Sequence, residues 1–229
     1  AFPALEVPVL PSALPRAEVA AFSIDDASTT EIDDAFSVPP RAEGGWRIGI
    51  HIAAPALGFA RGSTLDTVAR RRLSTVYMPG NKITMLPDEI VQTFTLGEVR
   101  DCPAVSLYLD ITPGLAIVGE ESRVELVPIV ANLRHHDIEP VFNDDTVHNG
   151  GPDFQWKREL TLLWDLATVM EAGRGEAAGH EDRSDFGLSR DWTQDTADGP
   201  GLVSISRRLR GSPMDKLVAE LMIYANMTW

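Results

Sequence analysis

A mixed α/β fold is what this sequence predicts, and three stretches predict it. Residues 46–53 alternate, with Ile48, Ile50 and Ile52 on one face and Arg47, Gly49 and His51 on the other, the two-residue period of a half-buried strand. Val105 to Ile111 alternates as well and runs through Pro113-Gly114 into a second strand around Leu115–Gly119, the pattern of an antiparallel hairpin. Two other stretches repeat at 3.6 residues instead. Trp156 to Ala172 has apolar positions at 156, 160, 163, 164, 167 and 170, and the stretch after Ser212 carries a stripe of Leu217, Val218, Leu221, Met222 and Ala225.

Taken in order, residues 1–20 contain Pro3, Pro8, Pro11 and Pro15 and are expected to form an extended lead-in or linker before a domain over 21–229. A strand at Ala35–Val38 turns through Pro39-Pro40 and Gly44-Gly45 into the strand at 46–53. Ser63 is a helix N-cap with Asp66 three residues on, a capping box with Asp in the acidic place. Leu65, Val68, Ala69 and Leu73 follow at helical spacing, carrying Arg70-Arg71-Arg72 toward Tyr77. Pro79-Gly80 ends this helix or a short strand after it. Asp88–Phe94 is a short helix, and Arg123–Leu133 a separate strand. Gly173 stops the long helix, and Gly179–Gly199 is polar and irregular. Ser212-Pro213 opens the last helix with a capping Ser, Pro in the first turn and Asp215 three residues on. Trp229 follows without a capping signal, which reads as a chain that stops inside a domain. There is no internal repeat.

The chain has 229 residues, 44% hydrophobic and 24% charged, with a net charge of −14. This is the balance of a globular protein, and no apolar run approaches the ~20 residues that span a bilayer. The acidity argues against a general nucleic-acid binder, yet Arg70-Arg71-Arg72 and Arg207-Arg208-Leu209-Arg210 are local basic clusters. Such clusters suit either a phosphate grip or two solvated faces. The single cysteine, Cys102, excludes an intrachain disulfide and is expected to be a buried apolar residue in a cytoplasmic protein.

The most informative segment is Ser-Ile-Asp-Asp-Ala-Ser-Thr-Thr-Glu-Ile-Asp-Asp-Ala-Phe-Ser-Val, residues 23–38. Asp25, Asp26, Glu31, Asp33 and Asp34 crowd into ten residues, and such like charges repel unless a cation lies between them. Ile24, Ile32 and Phe36 tie the segment to a core, which a solvated acidic tail would not need. A loop of small residues, Ala27 to Thr30, lets the carboxylates fold back toward each other. Two Mg²⁺ ions about 4 Å apart, held by such acids, clamp the attacking and leaving oxygens of a phosphodiester. The alternative is an acidic surface loop. His51 reads as a hydrogen-bonded structural residue, and His135, His136 and His148 show no ligand spacing.

Residues 23–38 resemble the signature of the ribonuclease II family catalytic domain, the RNB domain. Further blocks follow in the family's order: Ile50-His51-Ile52-Ala53, Gly62-Ser63-x-Leu65-Asp66, Arg72, Val76-Tyr77-Met78-Pro79-Gly80, Met85-Leu86-Pro87, and Glu220 to Asn226. The resemblance is dense over 21–110 and patchy to about residue 210. It implies an RNB-type α/β fold of largely antiparallel sheets packed with helices around a channel that ends at the carboxylates. It implies a processive 3′-to-5′ hydrolytic exoribonuclease that uses Mg²⁺, with Mn²⁺ as a substitute, and releases nucleoside 5′-monophosphates from single-stranded RNA. On the matching positions Asp25 and Asp34 help hold metal and Asp33 is tied most closely to catalysis. Glu31 stands within both sets. The resemblance implies that Tyr77 packs against the 3′-terminal nucleotide, the alternative for an aromatic before Pro-Gly being a core plug. By the same resemblance Arg72 is expected to pair with phosphate or with the acidic loop, a structural ion pair being the alternative, and Glu220 is expected to face the site from the last helix unless it is a solvated helix glutamate.

The sequence departs from the family pattern in places. Glu31 stands where the family has Asp, and Ala54 where many members have Asp. The late Phe-Thr-Ser-Pro-Ile-Arg-Arg-Tyr-type block, whose arginine contacts the scissile phosphate, is not in this chain, nor are OB-type RNA-binding modules. The chain is therefore expected to be an N-terminal part of the catalytic domain, inactive alone, with RNA-binding domains flanking it in the whole protein. A non-catalytic RNB-like scaffold is the rival expectation.

Overall fold

The computed structural model of the chain describes residues 13–27, 29–78, 81–147, 149–175, 184–190, 193, 199, 201–209 and 211–229. In chain order they form β1 (Ala21–Asp25), β2 (Asp34–Ser37), β3 (Trp46–Ala53), α1 (Thr64–Arg72), β4 (Val76–Met78), β5 (Asn81–Ile83), α2 (Asp88–Phe94), β6 (Arg100–Ile111), β7 (Ile117–Arg134), α3 (His135–Ile138), α4 (Lys157–Gly173), β8 (Ser184–Arg190), β9 (Val203–Leu209) and α5 (Pro213–Thr228). Pro79-Gly80, His148, Arg210 and the first twelve residues of the lead-in lie outside the described residues. The end of the lead-in docks: Arg16 bridges Leu126 of β7 in parallel and Ala17 is buried.

Strands β1, β2, β3, β6 and β7 close into a barrel in that order. Every neighbouring pair is antiparallel except β1 with β7, which closes the ring in parallel. The mixed, antiparallel-dominated α/β architecture expected from the sequence is what forms. Closure changes the environment of β3. Its alternation predicts one buried face, but Ile48, Gly49, Ile50 and His51 are all buried. One face, with Phe22, Phe36, Ile48, Ile50 and Leu107, packs against Leu160 and Leu163 of α4 and Leu217 and Leu221 of α5. Each such side chain contributes about 1.5–3 kcal/mol on burial.

The opposite face of the sheet has small and polar side chains where a five-stranded barrel leaves little room. His51 there is fully buried between two hydroxyls, with Ser37 Oγ 2.9 Å from Nε2 and Ser106 Oγ 2.8 Å from Nδ1. Burial pushes its pKa down to about 3, so the ring is neutral and structural, as expected. A methyl group on Gly49 would sit 2.4 Å from Ser37 Oγ and 2.5 Å from His51 Nε2. Gly49→Ala should therefore cost about 1–3 kcal/mol by overpacking, read as a lower urea midpoint; an unchanged midpoint would show slack inside the barrel.

Both expected N-caps form, with one difference. Ser63 and Ser212 accept hydrogen bonds from the amides of Asp66 and Asp215, each at 3.2 Å. The acids, however, reach past the cap to the amides of Gly62 at 2.7 Å and Gly211 at 3.1 Å. Those glycines have φ of +81° and +100°, the left-handed region that glycine enters without steric cost. Two strand assignments also change. Ile117–Gly119, the strand part of the expected Leu115–Gly119 segment, and Arg123–Leu133 belong to one continuous strand, β7, because β6 pairs along it from Ile117 to Ile129. The stretch expected to be irregular contains β8, which pairs with β9.

Candidate active site

The acidic loop joins β1 to β2 at one end of the barrel. The two strands are antiparallel with Phe22 opposite Phe36, so the loop leaves β1 at Asp25 and enters β2 at Asp34. The loop between is pinned on both sides. Ile32 is buried, its amide donates to Thr95 Oγ1 at 2.8 Å, and its carbonyl accepts from Leu96 N at 2.9 Å. The Asp33 carbonyl accepts from Ala53 N at 2.8 Å. The Arg134 guanidinium donates to the carbonyls of Asp26 at 2.9 Å and Thr29 at 3.4 Å.

This backbone brings the carboxylates within each other's field. Burial first, then the charges of Asp25 and Asp33, push the Asp34 pKa up to about 7. Asp33 is raised by burial and then by Glu31 and Asp25, although it stands exposed at the cleft. Its surface is open on one side while the surrounding protein and acids still disfavour its charge. Asp25 is raised by burial, an effect opposed by a hydrogen bond from Ser23 and by the charge of Arg134. Ser23 Oγ donates to Asp25 Oδ2 at 2.6 Å and accepts from Asn132 Nδ2 at 2.9 Å. Asn132 thus directs the single Ser23 proton at Asp25.

Asp34 Oδ2 is buried and lacks a hydrogen-bond partner among the described residues. An orphaned buried carboxylate oxygen beside two more acids is chemically suited to a hard cation. The side chains do not yet form a closed ligand set, since no group of three His, Cys, Asp or Glu in metal-holding geometry exists among the described residues.

Glu31 and Asp33 open into a cleft of about 340 Å³ walled by Thr75, Tyr77, Leu86 and Phe94. Tyr77, on β4, is 69% exposed, and its hydroxyl pKa is raised by burial and by Glu31. Glu31 is held by Lys82 Nζ at 2.5 Å. Arg72 lies at the end of α1 and donates to the Thr84 carbonyl at 2.5 Å, a tether between α1 and the segment after β5. Ala54 is buried at the start of a 3-10 turn, Pro55–Gly58.

Glu220 is not brought to this cleft. It is buried on α5 and paired with Arg174, whose Nη2 donates to Oε1 at 2.8 Å. Together they line a separate, largely apolar cleft with Leu166, Met170 and Tyr224. The expectation that Glu220 faces the acids is corrected: α5 packs on α4, and that contact supplies a guanidinium for its carboxylate. Lys82, Thr75, Ser23, Asn132 and Arg134 were not foreseen as site residues. Only Ser23, two residues before Asp25, carried a local signal.

Residues 17–229 match the RNB domain family. Exoribonuclease 2 of Aeromonas hydrophila is 42% identical over 132 residues, 55% of this chain and 19% of that protein. Mycoplasma genitalium RNase R, solved in complex with ribose-methylated single-stranded RNA, aligns with a TM-score of 0.72 at 16% identity, over 95% of this chain and 33% of that one. Yeast Ssd1, a pseudonuclease, aligns with a TM-score of 0.61 at 16% identity, over 75% of this chain and 21% of its own. The chain spans about a fifth of the length of the Aeromonas relative. Among the described residues no helix is long and apolar enough to cross a membrane.

Proposed function

This chain belongs to the RNB domain family, and from that premise we propose that it forms the acidic half of the active site of a hydrolytic exoribonuclease. The enzyme shortens single-stranded RNA from the 3′ end and releases nucleoside 5′-monophosphates. The observation that carries this reading is the buried, unpartnered Asp34 Oδ2 in the field of Asp25 and Asp33, beside a cleft with an exposed tyrosine.

Asp25, Asp33 and Asp34 are the residues that would hold Mg²⁺, with Mn²⁺ as a substitute. Bound there, the ion supplies charge neutralisation at the phosphate and a more acidic water. Ser23 and Asn132 orient Asp25, as second-layer hydrogen bonds do for metal-binding carboxylates. Asp33, exposed in the cleft, takes a proton from the attacking water at its carboxylate. Water attacks phosphorus, the bond to the preceding nucleotide's 3′ oxygen breaks, and that oxygen takes up the proton that Asp33 received, which restores the carboxylate. Tyr77 holds the terminal base by stacking, worth ~1–3 kcal/mol. A single strand fits a narrow approach that a duplex does not. The RNA-binding domains and the arginine that complete the phosphate clamp are assigned to the rest of the whole protein, and the buried Cys102 thiol fits a cytoplasmic setting.

A second reading, a non-catalytic RNB scaffold that binds RNA, is favoured by Ala54 and by the engagement of Glu31 with Lys82. One assay separates the two. The full-length protein with 5′-labelled single-stranded RNA and Mg²⁺ should shorten it processively. EDTA should stop this, and Asp33→Asn should slow it by on the order of 10³-fold, the loss of a general base with its ion site. RNA binding without shortening selects the scaffold. This chain alone is expected to leave the RNA intact.

A further inference from the structure

Glu31 already has a cation, and the chain supplies it. Lys82 Nζ lies 2.5 Å from Glu31 Oε1 and 3.4 Å from Thr30 Oγ1. The other carboxylate oxygen accepts from Thr75 Oγ1 at 3.4 Å, and Thr75 Oγ1 in turn accepts from the Met85 amide at 3.1 Å. Thr75 immediately precedes β4, Lys82 lies in β5, and Lys82 is the direct cross-strand partner of Tyr77. One glutamate therefore holds both the entry to the β4–β5 hairpin and the strand that returns from it.

The hairpin needs such a tether. Val76, Tyr77 and Met78 are all exposed, so β4 gains little from burial, and a two-stranded ribbon this short is marginal by itself. The Arg72 bond to Thr84 is a further tether. Glu31 is only 11% exposed at its side chain and Lys82 34%. A partly buried pair loses its partner's charge at a cost, so an incoming ion would have to displace an ammonium already in place. Asp34 Oδ2 presents no such competitor.

We infer that Lys82 is the positioning residue for Tyr77, and that Glu31 is its acceptor rather than a metal donor. The Glu31–Lys82 clasp keeps the tyrosine ring at the mouth of the cleft and leaves ion binding to Asp25, Asp33 and Asp34. This deepens the exoribonuclease reading, on which it rests, by naming what sets the place of the terminal base. The extra methylene of Glu31 relative to aspartate gives the carboxylate the reach the clasp uses.

The test uses Lys82→Met, Lys82→Arg, Glu31→Gln and the Lys82→Met/Glu31→Gln double variant in the full-length protein, with three readouts. Hydrogen exchange at residues 76–78 is followed without metal or RNA. Mn²⁺ uptake is followed by calorimetry, and binding of an oligonucleotide with 3′-terminal 2-aminopurine by fluorescence quenching. Lys82→Met and Glu31→Gln should each speed exchange at 76–78 by about three- to tenfold, with barrel amides unchanged. Each should weaken the 2-aminopurine signal by about fivefold and leave Mn²⁺ affinity within about twofold. Lys82→Arg should restore the signal, and the double variant should be no worse than either single one. A tenfold loss of Mn²⁺ affinity in Glu31→Gln would return Glu31 to the metal set and overturn the inference, as would additive losses in the double variant. Should the unaltered full-length protein bind neither Mn²⁺ nor RNA, the exoribonuclease reading fails, while exchange at 76–78 still decides whether Lys82 holds the hairpin.

Discussion

Replacing Asp34 by Asn should stabilise the metal-free chain at pH 8 and remove its response to Mn²⁺. The Asp34 pKa is pushed from an ordinary 3.8 up to about 7 by burial and by Asp25 and Asp33. Folding therefore favours the protonated acid. The stability this contributes is complete below pH ~3.8, is lost as pH climbs toward 7, and stays lost above it. At ~1.4 kcal/mol per pKa unit the loss is about 4 kcal/mol, and Asp25 and Asp33, whose pKa values are also raised, share in it. Asn has no proton to lose. The stability difference between Asp34→Asn and the unaltered chain, measured by urea titration in EDTA, should be near zero at pH 4 and largest above pH 7.5. Mn²⁺ should raise the stability of the unaltered chain by mass action and leave the variant unmoved. A difference that does not vary with pH would mean that Asp34 is not held in the way described.

Phe36→Ala should be the most damaging single change to the barrel. Phe36 is fully buried and sits across from Phe22 on one side and Ile50 on the other, so it joins β1, β2 and β3 in one contact. Removing the ring leaves a cavity and should cost about 3–5 kcal/mol, a large share of the ~5–15 kcal/mol typical of a domain. It also lies two residues after Asp34. Loosening β2 there should weaken Mn²⁺ uptake by more than a core variant of equal cost outside the strands, such as Leu163→Ala on α4, does. Equal effects from the two would show that the acidic loop keeps its shape without the Phe22–Phe36 contact.

Much of the site was legible in the chain itself, because its acids are neighbours. Asp25, Glu31, Asp33 and Asp34 share one loop, and the flanking Ile32 and Phe36 carry the periodic marks of a segment drawn onto a core. What answers those acids was not legible. Lys82 reaches Glu31 across 51 residues and Asn132 reaches Ser23 across 109, and no local pattern marks either residue. Glu220 is the converse case. Its helix was read correctly from the 3.6 period and the Ser212 cap, but periodicity does not say which neighbour a buried glutamate meets. Its partner is Arg174, 46 residues away, and not the acidic cleft.

The fold divides in the same way. Strand and helix identity over 46–53, 64–72, 88–94, 157–173 and 213–228 follows from side-chain spacing, since backbone geometry imposes its periods within a few residues. Whether β3 would have one buried face or two, whether 117–134 would be one strand or two, and which acid would be left without a partner were decided by barrel closure. Closure brings together groups far apart in sequence, and burial and charge then act on whatever it has placed side by side.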